Sequence, residues 1–163
     1  MRLWHYKLIP YLPKSQLQAQ WRELGSIFKK QDNHILINYI YKYDKETLYA
    51  YAQKVIQEMQ NRNIKIRDWT NYNYYFYYLD FEKGIPVDNY FPEHNNEYLT
   101  ICYWNLREKY IRGQKDFDDE TWNKLDKFYK KEILKWKSIK QTLLKRWWKN
   151  DNWRITQNFR WWK

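Results

Sequence analysis

Apolar residues recur at helical spacing near the start of the chain, between about Lys14 and Lys30. They lie four, three and four residues apart, at Leu17, Trp21, Leu24 and Phe28. This spacing predicts an amphipathic helix that buries one stripe. On a helical wheel Arg22 and Glu23 lie off the stripe, on either side of the opposite face, and Gln16 and Gln20 share the Glu23 side. We therefore expect this helix to bury one face and to present a polar, charged face elsewhere.

Three more stretches have the same periodicity. They predict helices over about residues 45–61, over about residues 95–112 and from about Glu120 onward, the last capped by Asp118 or Asp119. In the first two of these helices we expect the following residues to face inward: Leu48, Ala52, Val55, Ile56, Met59, Leu99, Cys102, Tyr103 and Leu106. In the last helix the apolar pattern continues over many turns, from Trp122 to Leu143.

Two segments lack such a pattern. Residues 1–13 are predicted to be irregular because Pro10 and Pro13 interrupt any regular element. Residues 67–92, which contain Asn, Gly and Pro at turn-forming positions, are predicted to form a long irregular crossing. Its aromatic run, Tyr74–Tyr78, has strand propensity, and we favour packing around the helices over a base-stacking platform. Without an internal repeat or a Gly/Ser linker, residues 1–163 are expected to form one all-α domain of about four helices.

Positive charge is concentrated in the last quarter of the chain. Residues 1–126 hold 18 basic and 17 acidic residues, whereas residues 127–163 hold 12 basic and 2 acidic ones. This basic C-terminal extension also contains Trp136, Trp147, Trp148, Trp153, Trp161 and Trp162. Cations neutralise phosphates, and flat rings stack on bases or wedge between them, so the extension is expected to bind a polyanion. The alternative is a solvated basic helix whose tryptophans cover the core.

Several classes of protein are disfavoured by composition. No apolar run is long enough to span a bilayer, and the first ten residues lack the apolar region of a signal peptide. The single cysteine, Cys102, fits a reducing cytoplasm and is expected to be a buried hydrophobe rather than a reactive thiol. Three scattered histidines and three dispersed glycines give neither a zinc spacing nor a phosphate loop, so we expect no metal and no cofactor.

The residue order around the first helix is more specific than its periodicity. The segment from Leu17 to Leu24, with Trp21-Arg22-Glu23 inside it and Phe28 after it, resembles the catalytic helix of the pyrimidine-dimer DNA glycosylases. These are the phage-type endonuclease V enzymes. Further pieces of the chain match the family in the same order, so that the resemblance covers roughly residues 1–112: residues 43–45, 61–65, 90–94 and 106–109.

The resemblance implies a DNA-repair enzyme that removes ultraviolet-damaged pyrimidines and cuts the strand at the abasic site. Enzymes of this family attack C1′ of the damaged nucleotide with their N-terminal amine, which then forms a Schiff base with the sugar. Carried over to this chain, the nucleophile is the α-amine of Met1 and the assisting carboxylate is Glu23. Its partner is damaged double-stranded DNA, and we expect a monomer, without metal or cofactor, in the cytoplasm at the nucleoid. The competing interpretation of Glu23 is an ordinary solvated helix glutamate.

The resemblance also assigns a DNA-binding surface. Arg22 is expected to clamp a phosphate, because a guanidinium matches phosphate geometry. The other expected DNA-binding residues are Arg2, Gln16, Arg107, Lys109, Arg146, Trp147 and Trp148. The chain departs from the family at four positions: Met1 replaces an exposed threonine, Gln16 a histidine, Ser26 a basic residue and Asn105 an arginine. The last three changes weaken the expected grip on phosphates and leave the preferred lesion open.

Three other functions remain compatible with the same residues. The first is a non-catalytic protein that binds double-stranded DNA on the same fold, and the second is a glycosylase/lyase for a different lesion. The third is a helical interaction module that uses the Trp-rich extension without DNA. His5 lies close to the proposed nucleophile, and a structural, hydrogen-bonded role is favoured for it over tuning of the amine.

Overall fold

The computed structural model describes the backbone over residues 2–31, 34–79 and 90–158 and side chains as far as Leu143. All regular elements in these ranges are helical, which confirms the predicted all-α class. The α-helices are α1 (Lys14–Lys29), α2 (Lys45–Asn61), α3 (Thr70–Tyr75), α4 (Asn96–Ile111) and α5 (Asp119–Asn158). Two 3₁₀ helices, Tyr6–Tyr11 and Asn38–Lys42, precede α1 and α2. No described helix is both long and apolar enough to cross a membrane.

The four predicted helices correspond to α1, α2, α4 and α5. Their bounds agree with the prediction to within a residue or so, and α2 has the predicted bounds. Every predicted inward residue of α2 and α4 is buried. Asp118 is the residue that caps α5, because its Oδ1 accepts a hydrogen bond from the Thr121 backbone nitrogen at 2.8 Å. The apolar periodicity therefore predicted the core-facing sides of α2 and α4 correctly.

Helices α2 and α4 end in the same way. After α2, Asn63 has a positive φ of 54°, and the Ile64 nitrogen donates to the Met59 carbonyl. After α4, Gly113 has a φ of 73°, and the Gln114 nitrogen donates to the Lys109 carbonyl. This left-handed turn satisfies carbonyls that the helix leaves without partners, and it suits glycine and asparagine. Both helix ends are therefore determined by local sequence.

The N-terminal segment differs from the prediction. Residues 6–11, expected to be irregular, form a 3₁₀ helix that includes Pro10. A proline fits here because its missing N–H is not required in so short a helix. Arg62, at the end of α2, donates from Nη1 to the Leu12 carbonyl at 2.6 Å and from Nη2 to the Pro10 carbonyl at 2.7 Å. A single guanidinium thus fastens the 3₁₀ helix to α2.

The predicted irregular crossing also contains a helix. Helix α3 packs against α1, and Tyr72, Tyr75 and Phe76 surround the ring of Phe28. The rest of the aromatic run points outward: Tyr74, Tyr77 and Tyr78 are 82%, 74% and 88% exposed. The preferred packing role is therefore correct for Tyr75 and Phe76 and wrong for these three tyrosines. Residues 80–89 of the crossing lie outside the described residues.

Contacts along the chain define two units, Met1–Leu125 and Asp126–Lys163, and α5 runs from the first into the second. In the first unit α1 packs on α2 and α3, and the N-terminal 3₁₀ helix packs on α2 and α4. In the second unit the described part of α5 has exposed apolar side chains, at Leu134, Ile139 and Leu143. The single domain expected over residues 1–163 remains a prediction.

Candidate functional site

The first residues of the chain form an extended segment that is buried among the helices. Leu3, Trp4 and His5 are each at most 6% exposed. Their backbone groups bond to side chains from three helices. The Trp4 nitrogen donates to Gln20 Oε1 on α1 at 2.8 Å, the Tyr51 hydroxyl on α2 donates to the Trp4 carbonyl at 2.7 Å, and the Tyr98 hydroxyl on α4 donates to the Leu3 carbonyl at 2.6 Å. Buried polar groups need such partners, which here come from distant parts of the sequence.

Glu23 lies at the start of this segment. Its Oε2 accepts a hydrogen bond from the Arg2 backbone nitrogen at 3.2 Å, and its side chain is partly exposed. The Arg2 nitrogen belongs to the peptide bond that joins Arg2 to Met1. Met1 itself lies outside the described residues. The sequence predicted that Glu23 lies beside the N-terminal amine. Among the described residues, Glu23 contacts the peptide group that follows Met1.

The side chain of Arg2 turns toward the interior. Its guanidinium lies 5.9 Å from the centre of the Trp4 ring, and its Nη1 is buried with no hydrogen-bond partner among the described residues. The positive charge of Arg2 opposes the effect of burial, which raises the pKa of Tyr98 well above its usual value. Burial likewise raises the pKa of Cys102, to about 11. The thiol is fully buried, as predicted for a structural cysteine.

Two histidines fix the far end of the N-terminal segment. His5 accepts from the Lys7 nitrogen through Nδ1 and donates from Nε2 to the His94 carbonyl at 2.7 Å. His94 accepts from the Tyr6 nitrogen through Nδ1, and its Nε2 lies 2.8 Å from the Tyr39 hydroxyl. Burial, with a contribution from His5, lowers the pKa of His94 to about 3, so the ring is neutral at pH 7. The structural role favoured for His5 agrees with these contacts.

Arg22 stands at the junction of two open clefts. One, of about 370 Å³, lies between α1 and the start of α3, and the other, of about 480 Å³, lies between α1 and the residues that follow α2. Trp21, Arg22 and Arg67 line both clefts. Three exposed lysines add to the positive charge of the lining: Lys14, Lys29 and Lys65. The two clefts together are called the basic clefts below.

One carboxylate lies in the basic clefts. Asp68 accepts a hydrogen bond through Oδ1, at 2.8 Å, from the nitrogen of Thr70, the first residue of α3. This hydrogen bonding lowers the pKa of Asp68, so the group stays ionised. Because five cations and only this one acidic group line the basic clefts, they are suited to an anionic ligand such as a nucleic-acid backbone.

At two positions that depart from the family pattern, the side chain forms a hydrogen bond within the protein. Gln16 Nε2 donates to Gln114 Oε1 at 3.0 Å, so its side chain is held at the turn after α4. The Ser26 hydroxyl donates to the Arg22 carbonyl one turn earlier, at 3.2 Å. Gln114 also bonds to Ser15 and Asp116, which joins this turn to the start of α1. Gln16 therefore lies on the surface near α4, with one of its polar atoms already paired.

The residues expected on α4 lie at two separate places. Lys109 lines a cleft of about 320 Å³ with Asn105, Arg112 and Gln114, and Gln114 connects it to Gln16. Arg107 is exposed, with its guanidinium 5.1 Å from the centre of the Trp104 ring. The structure thus brings Lys109 and Gln16 together but leaves Arg107 apart from them. Arg146, Trp147 and Trp148 are on α5, and their side chains lie outside the described residues.

Sequence reasoning missed Gln20 and Arg67. Gln20 looked like one more polar residue beside Glu23, yet it is fully buried and bonds to the N-terminal segment. Arg67 lies in a short stretch of alternating charge, Lys65-Ile66-Arg67, and that alternation was the available signal. Among the described residues no group of three or more His, Cys, Asp or Glu is arranged to hold a metal ion.

The described residues form a helical protein in which α1 carries both Glu23, beside the N-terminal segment, and Arg22, which lines the basic clefts. The model of one family, pyrimidine dimer DNA glycosylase, matches residues 1–71. The match includes α1, α2, Glu23 and most of the lining of the basic clefts, and it confirms the predicted resemblance over these residues. Over this stretch the chain is therefore similar to a family of DNA glycosylases. The resemblance of residues 72–112 stays a prediction. No curated protein and no solved structure matches the chain significantly.

Proposed function

We propose that the protein is a pyrimidine-dimer DNA N-glycosylase with abasic-site β-lyase activity, and that its nucleophile is the α-amine of Met1. The observation that carries this proposal is the 3.2 Å hydrogen bond from the Arg2 nitrogen to Glu23 Oε2. This bond holds a carboxylate on a rigid helix at the peptide group next to the proposed amine. Catalytic groups work best on such rigid elements.

The chemistry follows from an amine and a carboxylate side by side. An α-amine has a pKa of about 7.7–8.0, against about 10.4 for a lysine, so more of it is unprotonated at neutral pH. Its nitrogen bonds to C1′ as the bond from C1′ to the base breaks, and the base leaves as an anion with the electron pair. Glu23 then carries one proton from the nitrogen to O4′ as the C1′–O4′ bond opens, which gives an iminium ion. The negative charge of Glu23 stabilises the cationic sugar and the iminium ion.

Strand cleavage is the second step of the proposed reaction. A base removes a proton from C2′, and the electron pair of the broken C–H bond forms an enamine between C1′ and C2′. When the electrons of this enamine shift toward C3′, the 3′ phosphate oxygen leaves. Glu23 is the proposed acceptor of the C2′ proton.

The proposed DNA surface includes the basic clefts. Arg22 is exposed and lines both of them, which supports its role as a phosphate clamp. Lys109 and Gln16 are proposed to contact the backbone near α4, and Arg107 is proposed to do so separately. Arg146, Trp147 and Trp148 are proposed contacts from the C-terminal extension. For Arg2, whose guanidinium turns inward, a phosphate contact requires its side chain to leave the Trp4 ring. We further propose a monomer that associates with the nucleoid.

Borohydride trapping tests the proposal. Two duplexes are compared in EDTA, one with a thymine dimer and one with an abasic site, and the trapped peptide is mapped by mass spectrometry. We expect adducts with both duplexes, on the α-amine of Met1. An adduct on a lysine, or no adduct with either duplex, would overturn the mechanism. Salt-sensitive binding without any adduct would instead support a non-catalytic DNA-binding protein.

A different lesion is the second candidate substrate. It is favoured by Gln16 and Ser26, which stand where the family has basic residues and bond to other groups of the protein. The same experiment separates the two candidates. An adduct with the abasic duplex but not with the dimer duplex would retain the lyase and assign the glycosylase step to another damaged base.

A further inference from the structure

The contacts of residues 3 and 4 hold the N-terminal segment from three directions. Gln20 on α1, Tyr51 on α2 and Tyr98 on α4 each bond to a backbone atom of Leu3 or Trp4, at 2.6–2.8 Å. Tyr51 Oη also lies 3.1 Å from Gln20 Oε1, which links two of the three side chains. No regular secondary structure includes this segment, so these bonds take the place of a helix or sheet ladder.

Because these hydrogen bonds are buried, they restrict the movement of the N-terminal segment. Gln20, Tyr51 and Leu3 have no exposed surface, so the paired backbone groups cannot turn to water instead. Burial also raises the pKa values of Tyr51 and Tyr98 well above the usual range, so both hydroxyls remain protonated donors at every pH at which the enzyme would act. A segment held in this way has little freedom to shift along or away from α1.

We propose that Gln20, Tyr51 and Tyr98 are positioning residues for the reaction, which hold residues 3 and 4 so that the amine two residues earlier attacks beside Glu23. This inference rests on the proposed function. The physical reason is that a nucleophile at the end of a chain is useful only if its approach is fixed, because a shift of about 1 Å costs on the order of a hundredfold in rate. Helix α1 then contributes two groups to the site. Gln20 holds the segment, and Glu23, three residues later, supplies the negative charge beside the amine.

The test compares three variants with two matched controls. Gln20→Met keeps the size of the side chain but removes the acceptor for the Trp4 nitrogen. Tyr51→Phe and Tyr98→Phe remove the two donors. Gln53→Met is the control for the first variant, because Gln53 donates to Tyr72 away from the segment. Tyr110→Phe is the control for the other two, because its hydroxyl donates to Asp119.

Two quantities are measured on an abasic duplex: the single-turnover trapping rate at saturating DNA and the dissociation constant of the complex. We expect the three variants to lose about tenfold to a hundredfold in trapping rate with less than about a twofold change in affinity. The controls should trap at the wild-type rate. A purely structural role would lower the folded fraction without changing the rate per folded molecule, so thermal unfolding is recorded for every variant.

Amide hydrogen exchange provides an independent readout. In Gln20→Met the Trp4 amide should exchange faster, whereas the α2 amides should stay protected. If Gln20→Met does not fold, the two phenylalanine variants decide the question. Folded variants that trap at the wild-type rate would overturn the positioning role and leave the proposed function intact. A wild-type adduct that is absent, or that lies on a lysine, would overturn both.

Discussion

The N-terminal segment at residues 2–6 and the described part of α5 after Leu125 have opposite surroundings. In the first, Leu3, Trp4 and His5 are buried and their backbone groups bond to side chains of three helices. In the second, the apolar side chains of Ile139 and Leu143 are 50% and 58% exposed along a lysine-rich helix. A buried polar network fixes geometry, whereas an exposed cationic helix supplies charge that acts without fixed geometry. We therefore propose chemistry for the first region and affinity for DNA for the second.

Removing the charge of Glu23 should give the largest effect. In Glu23→Gln the side chain keeps its shape and can still accept from the Arg2 nitrogen, but it no longer stabilises a cationic sugar. We expect single-turnover strand cleavage to fall by about 10²–10³-fold, with DNA affinity within about twofold of wild type. Gel assays and fluorescence anisotropy measure the two quantities. Glu97→Gln, an exposed change on α4, should leave both unchanged. Cleavage by Glu23→Gln at the wild-type rate would remove this carboxylate from the mechanism.

Neutralising the lysines of α5 should affect affinity instead. Glutamine would replace the exposed residues Lys127, Lys131, Lys135, Lys137 and Lys140. We expect binding to duplex DNA to weaken by on the order of a hundredfold and to depend less steeply on salt, because each lost phosphate contact lowers the slope by about 0.9. The cleavage rate at saturating DNA should stay the same. Arginine at the same positions should restore the affinity. An unchanged salt slope would mean that the extension does not contact phosphates.

Acid should weaken the buried network through His94. Its pKa is about 3 in the folded protein against 6.5 in the unfolded chain, so below pH 6.5 the unfolded state binds a proton that the folded state does not. The free energy of unfolding should therefore fall as the pH drops, by about 2 kcal/mol between pH 7 and pH 5. Urea denaturation at both values measures this difference. The loss should be smaller in His94→Gln and unchanged in His34→Gln, and an equal loss in both variants would contradict the assignment.

Arg67 should have the smallest effect of the four. Arg67→Ala removes one cation from the basic clefts, so we expect DNA binding to weaken by about threefold to tenfold and the salt slope to fall by about one. Anisotropy titrations at several salt concentrations measure both. Lys124→Ala is the control, because Lys124 pairs with Glu120 at 2.6 Å. Equal effects of the two substitutions would mean that Arg67 contributes only net charge.

The residue order predicted more of the site than the periodicity alone did. From periodicity alone, Arg22 and Glu23 are two charged residues on an amphipathic helix. The flanking residues Leu17, Trp21 and Phe28 indicated the family whose model matches residues 1–71. Neither signal distinguished Gln20 from Glu23, because a polar residue on a helix looks solvated until its tertiary neighbours are known. Arg67 was missed for the same reason, since its partners in the basic clefts come from α1.

The sequence by itself determined the four longest helices, the buried faces of α2 and α4 and the uneven distribution of charge. Helical periodicity, an aspartate at a helix start and residues suited to a left-handed turn are all local properties, so they can be read without the fold. The tertiary structure alone decided that an extended N-terminal segment lies buried among three helices and that its first peptide group contacts Glu23. Each of those hydrogen bonds joins residues 16 to 95 positions apart, and no local pattern encodes such a pairing.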